Sequence, residues 1–252
     1  MSDAPSSAGG GLVGRVAIVT GGSRGIGLAT AAALLDEGAS VLICGRSEDA
    51  LVRAASQLEQ HAGGGTIGRL ATVAADIRQL QPAEHMIQTA IDRFGGVDIL
   101  INNAGVGRFA LLSELSVDDW LEVIETNLSG VFYCSRAAIP VMKQRGGGWI
   151  INVSSLAGKH PFAGGTAYCA SKAGLNALTE ALMQEVRHDK IRVSCVLPGS
   201  VDTEFAGNQP SPEVSWKLAS SDVARAILDL IHHPARSLPS RVELRPSMPR
   251  TT

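Results

Sequence analysis

Aromatic side chains are scarce in this sequence, with five Phe, three Trp and two Tyr in 252 residues, which argues against an aromatic-rich β-sandwich. Cysteine is equally thin. Cys44, Cys134, Cys169 and Cys195 stand alone, without a CxxC pair or the density of a disulfide scaffold. Basic charge is not in excess either: 22 Lys and Arg against 24 Asp and Glu give a net charge of −2. That balance excludes an electrostatic footprint for nucleic acid. No apolar run approaches the ~18 residues that cross a bilayer; the longest, Ile26 to Cys44, is broken by Asp36, Glu37 and Gly38. The first fourteen residues have neither a basic n-region nor an apolar h-region, so no secretory signal is visible. The histidines, including adjacent His232 and His233, lack metal-ligand spacing. A cytoplasmic protein without a metal, a nucleic-acid partner or a membrane partner is therefore expected.

What the chain does have is glycine, 28 residues of it, on a globular background of 45% hydrophobic and 18% charged residues. Met1 to Gly14 reads as a loose arm of small residues, followed by one domain over 15–252. From there short β-branched runs alternate with helix-period stretches. The runs are Val16–Thr20, Ser40–Cys44, Leu70–Ala74, Asp98–Ile101, Trp149–Val153, Arg192–Leu197 and Val242–Leu244. Ser47 is placed to cap a helix carrying Leu51, Ala54 and Leu58, and Gly95 to end one that follows Pro82. Ser116 and Asp119 cap a single long helix from Val117 to about Arg145. Successive β–α–β units require crossover helices and hence parallel strands. The expected fold is α/β: one doubly wound, seven-stranded parallel sheet.

The first strand runs into Gly21-Gly22-Ser23-Arg24-Gly25-Ile26-Gly27 and then an Ala/Leu helix. Glycines here let a phosphate approach the backbone, and the helix N-terminus attracts its charge. A tight turn alone would look similar, but the flanking strand and helix favour a dinucleotide. Where an NAD-binding chain carries a carboxylate at the end of its second strand, this one has Cys44-Gly45-Arg46. Arg46 together with Arg24 favours a 2′-phosphate, hence NADP, over two merely solvated arginines.

Tyr168 and Lys172 stand four apart on an Ala/Leu-rich helix, which puts them on one face, close enough for an ammonium to depress the phenol's pKa. In order along the chain occur Thr20-Gly21-Gly22-Ser23-Arg24-Gly25-Ile26-Gly27, Asn102-Asn103-Ala104-Gly105, Ser154-Ser155, Tyr168 with Lys172, and Pro198-Gly199. This series closely resembles the short-chain dehydrogenase/reductase family over about residues 13 to 205. The resemblance implies a Rossmann-like domain and an NADP(H)-dependent oxidoreductase acting on a small carbonyl or alcohol substrate. It implies Tyr168 as general acid/base, Lys172 as its pKa partner and nicotinamide-ribose ligand, Ser155 as the residue bonding the substrate oxygen, and Asn127 as holder of a relay water. Ser154 is left a packing role. For the cofactor it implies Gly21, Ser23, Arg24, Gly25, Ile26, Gly27, Arg46, Asp76, Ile77, Asn103, Ala104, Gly105, Pro198, Gly199, Val201 and Thr203.

The terminal Arg241-Val242-Glu243-Leu244-Arg245-Pro246 departs from the Asp-Gly-Gly ending of the family's acyl-carrier reductases, which weakens a fatty-acid-synthesis assignment. Phe109, Phe162, Phe205 and Trp216 read as core before pocket. Two apolar stripes on the Tyr168 helix, one with Leu175 and Leu182, the other with Ala170, Ala173, Ala177 and Ala181, suggest a second packing partner. Similar family members pair this helix across a two-fold axis, so a homo-oligomer is expected, a tetramer before a dimer. The competing class is a catalytically silent dinucleotide-binding redox sensor, whose known relatives lack the Tyr and Lys present here.

Overall fold

The computed structural model describes residues 11–61, 66–207 and 216–248. Seven parallel strands form one sheet: β1 (Val16–Thr20), β2 (Ser40–Gly45), β3 (Leu70–Ala74), β4 (Ile99–Asn102), β5 (Gly148–Val153), β6 (Ile191–Pro198) and β7 (Arg241–Leu244). Their spatial order is β3-β2-β1-β4-β5-β6-β7. The order reverses between β1 and β4, and a crevice opens at such a switch point beyond the strands' carboxyl ends. β1, β2, β4 and β6 are nearly continuous apolar runs because helices cover both faces.

Helices α1 (Gly25–Asp36), α2 (Glu48–His61) and α7 (Ser220–His232) pack on one face, where Leu34, Leu51 and Ile227 meet Val19 and Ile43. On the other lie α3 (Leu80–Phe94), α5 (Gly130–Gln144) and α6 (Thr166–Val186), with Met86, Met142 and Leu182 against Ile18 and Leu100. Short caps end these helices as the sequence dictates. The Ala50 N–H donates to Ser47 Oγ at 3.3 Å. Gly95, at φ 85°, donates to the Ile91 carbonyl and closes α3.

Three features differ from the expectation. The loose arm was expected to run to Gly14, yet Leu12 is only 3% exposed and its N–H bonds the Glu37 carbonyl, so this residue is anchored to the domain; residues 1–10 lie outside the described residues. Asp98 does not begin β4. Its carboxylate is buried at the strands' amino ends, where it accepts the Val16 N–H at 2.8 Å and pairs with Arg15 and Arg145. Finally, the helix from Val117 is not uniform. α4 (Val117–Ile124) passes into a π-turn at Glu125–Ser129, where the Gly130 N–H reaches the Glu125 carbonyl five residues back, before α5 continues. Such wide turns collect at functional sites, and Asn127 sits inside this one.

Candidate active site

At the carboxyl end of β1 the chain must turn sharply and pass close to β4. Thr20 Oγ1 donates to the Ile101 carbonyl and accepts the N–H groups of Asn103 and Ala104, both at 3.0 Å. Asn103 in turn donates through Nδ2 to the carbonyls of Thr20 and Gly21. Only glycine fits this junction: a Cβ on Gly21 would stand 2.9 Å from Ala104 Cα, and one on Gly27 2.2 Å from the Gly21 oxygen. Gly25, at φ 55°, opens α1, and the Arg24 side chain does not cap it. The first N–H groups of α1 thus have no side-chain partner from the capping position and face the cleft, as an anion seat requires.

The cleft encloses about 1020 Å³ and runs from these glycines to Tyr168. One end carries Ser23, Arg24, Arg46, Asp76 and Ile77, and the middle is floored by Asn103, Ala104 and Gly105. Gly45 has room for a larger side chain, since an added Cβ would meet nothing nearer than Leu51 at 3.6 Å. Two of these charged groups are already engaged. Arg46 bonds Glu122 of α4 at 3.3 Å, and Glu122 also pairs with Arg108 at 2.7 Å. Asp76 is gripped by Arg78 through Nε at 2.9 and 3.0 Å, and those hydrogen bonds hold its carboxyl below the usual range. The sequence reading missed Arg78 and Glu122, and also Arg53 and Gln57, which present α2 to the cleft one turn apart.

At the other end Ser155 follows β5, Tyr168 and Lys172 rise from α6, and Pro198 at the end of β6 closes the wall with Gly199, Val201 and Thr203. Ser155 faces the phenol as a hydrogen-bonding partner and caps a short turn by accepting the Ala157 N–H. Lys172 is buried; its Nζ donates to the Val153 carbonyl at 2.9 Å and lies 5.8 Å from the Tyr168 ring centroid. Burial drives the ammonium down from an ordinary 10.5 to about 8. The expected depression of the phenol is not what this arrangement produces: burial pushes Tyr168 up, and the Ser155 bond only partly offsets it.

Of the expected site residues, all reach the cleft wall except Gly27 and Asn127. Gly27 acts by close packing. Asn127 is fully buried, and its side chain is consumed by both backbone groups of Val106, at 2.8 and 2.9 Å, and by Ser171 Oγ at 3.0 Å. Ser154 donates to the Lys172 carbonyl, as a packing residue would. Two residues read as core, Phe109 and Phe205, line the cleft instead.

A glycine-lined cleft at the switch point of a parallel sheet, ending on Ser155, Tyr168 and Lys172, defines a dinucleotide-binding α/β enzyme. The family model described as short chain dehydrogenase matches residues 15–213, and the chain belongs to that family of oxidoreductases. A 3-oxoacyl acyl-carrier-protein reductase from Chlamydia muridarum is 38% identical over 195 residues, covering 77% of each chain. An alcohol dehydrogenase from Thermococcus sibiricus, solved with 5-hydroxy-NADP, is 31% identical, covers 94% of this chain and 99% of its own, and superposes with a TM-score of 0.85. A metagenomic short-chain oxidoreductase in complex with NADP is 35% identical over 94% and 100% of the two chains, with a TM-score of 0.82. Among the described residues no helix is long and apolar enough to cross a membrane, and no cluster of His, Cys, Asp or Glu has the makings of a metal site.

Proposed function

We propose that this protein is an NADP(H)-dependent oxidoreductase interconverting a ketone or aldehyde and its alcohol, with Tyr168 as the general acid/base. The observation that carries this reading is the continuity of one cleft from Arg24 and Arg46 to Ser155 and Tyr168. The glycine cradle, which any Cβ at 21 or 27 would fill, suits a pyrophosphate. Structural relatives solved in complex with NADP or 5-hydroxy-NADP add support. When bound, the nicotinamide supplies or accepts the hydride.

The protein's own groups handle position and proton. Ser155 orients the substrate oxygen, and the Tyr168 O–H donates to it in reduction or takes its proton back in oxidation. Lys172 keeps positive charge beneath the ring and meets the nicotinamide ribose. Asn127 ties the loop after β4 to α6, so any relay water it holds must rest on its backbone oxygen rather than its side chain. Asp76, whose two carboxylate oxygens Arg78 already holds, reaches the adenine through the lone pairs left over.

Cofactor preference provides the test. A charge-assisted contact is worth ~1.5–3 kcal/mol, so wild-type enzyme should favour NADPH over NADH at least about tenfold in kcat/KM at matched concentrations. Gly45→Asp with Arg46→Ala should erase or reverse that order, since a Cβ at Gly45 meets no neighbour closer than 3.6 Å. Equal efficiency with both nucleotides overturns the NADP assignment. Nucleotide binding without turnover of any carbonyl would make the protein a silent sensor instead.

The same reading includes a homo-oligomer. On α6, Leu175 and Leu182 are buried in the core while Ala170, Ala173, Ala177 and Ala181 all remain exposed, a small-residue stripe suited to a second helix. Light scattering at micromolar concentration should return a tetramer's mass; a monomer's mass refutes it.

A further inference from the structure

The scarcest side chains in the sequence gather at one end of the cleft. Of the ten aromatic residues, four meet at the catalytic position. Phe109 stands edge-on to Tyr168 at 5.6 Å between centroids and 73° between planes. Phe205 flanks the same ring at 5.6 Å and 52°. Phe162 backs Phe109 at 5.9 Å. They arrive from three separate segments: the loop after β4, the turn before α6 and the turn after β6.

Glycine makes the convergence possible. A Cβ on Gly107 would lie 2.9 Å from both the Phe109 and the Phe205 ring, so these two rings close over a backbone that has no side chain. Despite this packing Phe109 and Phe162 remain 49% and 50% exposed. Aromatic surface held open beside a reacting group is surface that a ligand covers. The charges point the same way. The cleft's arginines, Arg24, Arg46 and Arg53, belong to the β2 and α2 side, and Lys172 is buried on the Val153 carbonyl. Among the described residues, the remaining charged groups lining the cleft beyond Asp76 are Glu204 and Lys217, one of each sign.

We infer that the substrate is a neutral aryl ketone, or the corresponding aryl carbinol, whose ring packs on the open surface of Phe109 beside Phe205 while its oxygen meets Tyr168 and Ser155. This rests on the reaction proposed above and specifies its substrate class. A flat ring takes edge and offset contacts with aromatic neighbours at 4.5–7 Å that a saturated ring of similar area cannot make. Each such contact corresponds to roughly 2- to 12-fold in affinity.

The probes are acetophenone, cyclohexyl methyl ketone and a 3-oxo ester, each reduced with NADPH by wild type, Phe109→Leu and Phe205→Leu. Leucine keeps apolar bulk and removes the ring. Wild type should favour acetophenone over its saturated counterpart by at least about fivefold in kcat/KM, chiefly through KM. Either leucine variant should bring that ratio towards one, with NADPH affinity, followed by fluorescence titration, unchanged as the sign of an intact fold. Equal or better use of the cyclohexyl ketone or the 3-oxo ester by wild type overturns the aryl assignment and leaves the proposed reaction standing. A ratio that survives both substitutions overturns the role of the rings. Failure to reduce any carbonyl overturns the reaction itself, and this inference with it.

Discussion

Tyr168→Phe is expected to lower kcat by at least ~10²-fold in either direction of the reaction, with nucleotide affinity and melting temperature close to wild type. The ring stays in place, and with it the contacts to Phe109, Phe205 and the Lys172 ammonium. Only the hydroxyl and its bond to Ser155 are lost. Because burial raises the phenol above its ordinary range, the free enzyme holds Tyr168 protonated at neutral pH, ready to donate. Reduction should therefore persist towards low pH, and oxidation should gain as pH rises. A variant retaining more than about a tenth of wild-type turnover would remove Tyr168 from the proton-transfer role.

Lys172→Met should separate activity from stability more widely than any other substitution here. Turnover is expected to fall at least ~10²-fold, with weakened nucleotide binding, yet the denaturation midpoint at pH 7 should not fall. The folded state releases the lysine proton at about 8, whereas the unfolded chain keeps it to 10.5. Between those values the unfolded state binds more protons, so this group adds stability as pH rises and withholds it below 8. The span corresponds to roughly 3 kcal/mol, against ~1 kcal/mol for the lost bond to the Val153 carbonyl. The buried thiols work in the opposite sense: burial lifts Cys44 to about 12 and raises Cys134 too, which lowers stability at alkaline pH. The informative quantity is thus the difference between variant and wild type. It should favour the variant at pH 7 and shrink through pH 8–10.5. A difference that does not move with pH would show that Lys172 carries no burial penalty.

Where residues act through local spacing, the sequence was readable. The buried strands are apolar on both faces and cannot be mistaken for amphipathic ones, and the glycines of the β1 turn sit where backbone crowding leaves no choice. Long-range pairing was not legible. Asp98 looked like the start of a strand because its partners, Arg15 and Arg145, lie far away in sequence. Nothing near Arg46 foretells Glu122, although Arg78, two residues after Asp76, was an available signal. The Tyr168–Lys172 spacing gave proximity but not the sign of the phenol's shift, because enclosure outweighs a neighbouring charge there. Phe109 and Phe205 read as core since aromatic residues are usually buried; only the meeting of three loops leaves them on the cleft wall.

The π-turn at Glu125–Ser129 also has a meaning for chain length. From Val123 to Met142 the buried stripe advances nineteen positions, where five regular α-turns would take about 18. The wide turn absorbs the surplus residue and keeps Val123 of α4 buried while α5 presents Cys134 and Ala138 to the core. Without it, one half would be rotated by about 100° and would turn Cys134 and Ala138 away from the core. The surplus residue is therefore one that the packing does not need. Deleting a single position within 125–129 would leave a regular helix with its core stripe aligned, while displacing Asn127 from Val106 and Ser171. At this place in the chain, one residue of length belongs to the site and not to the fold.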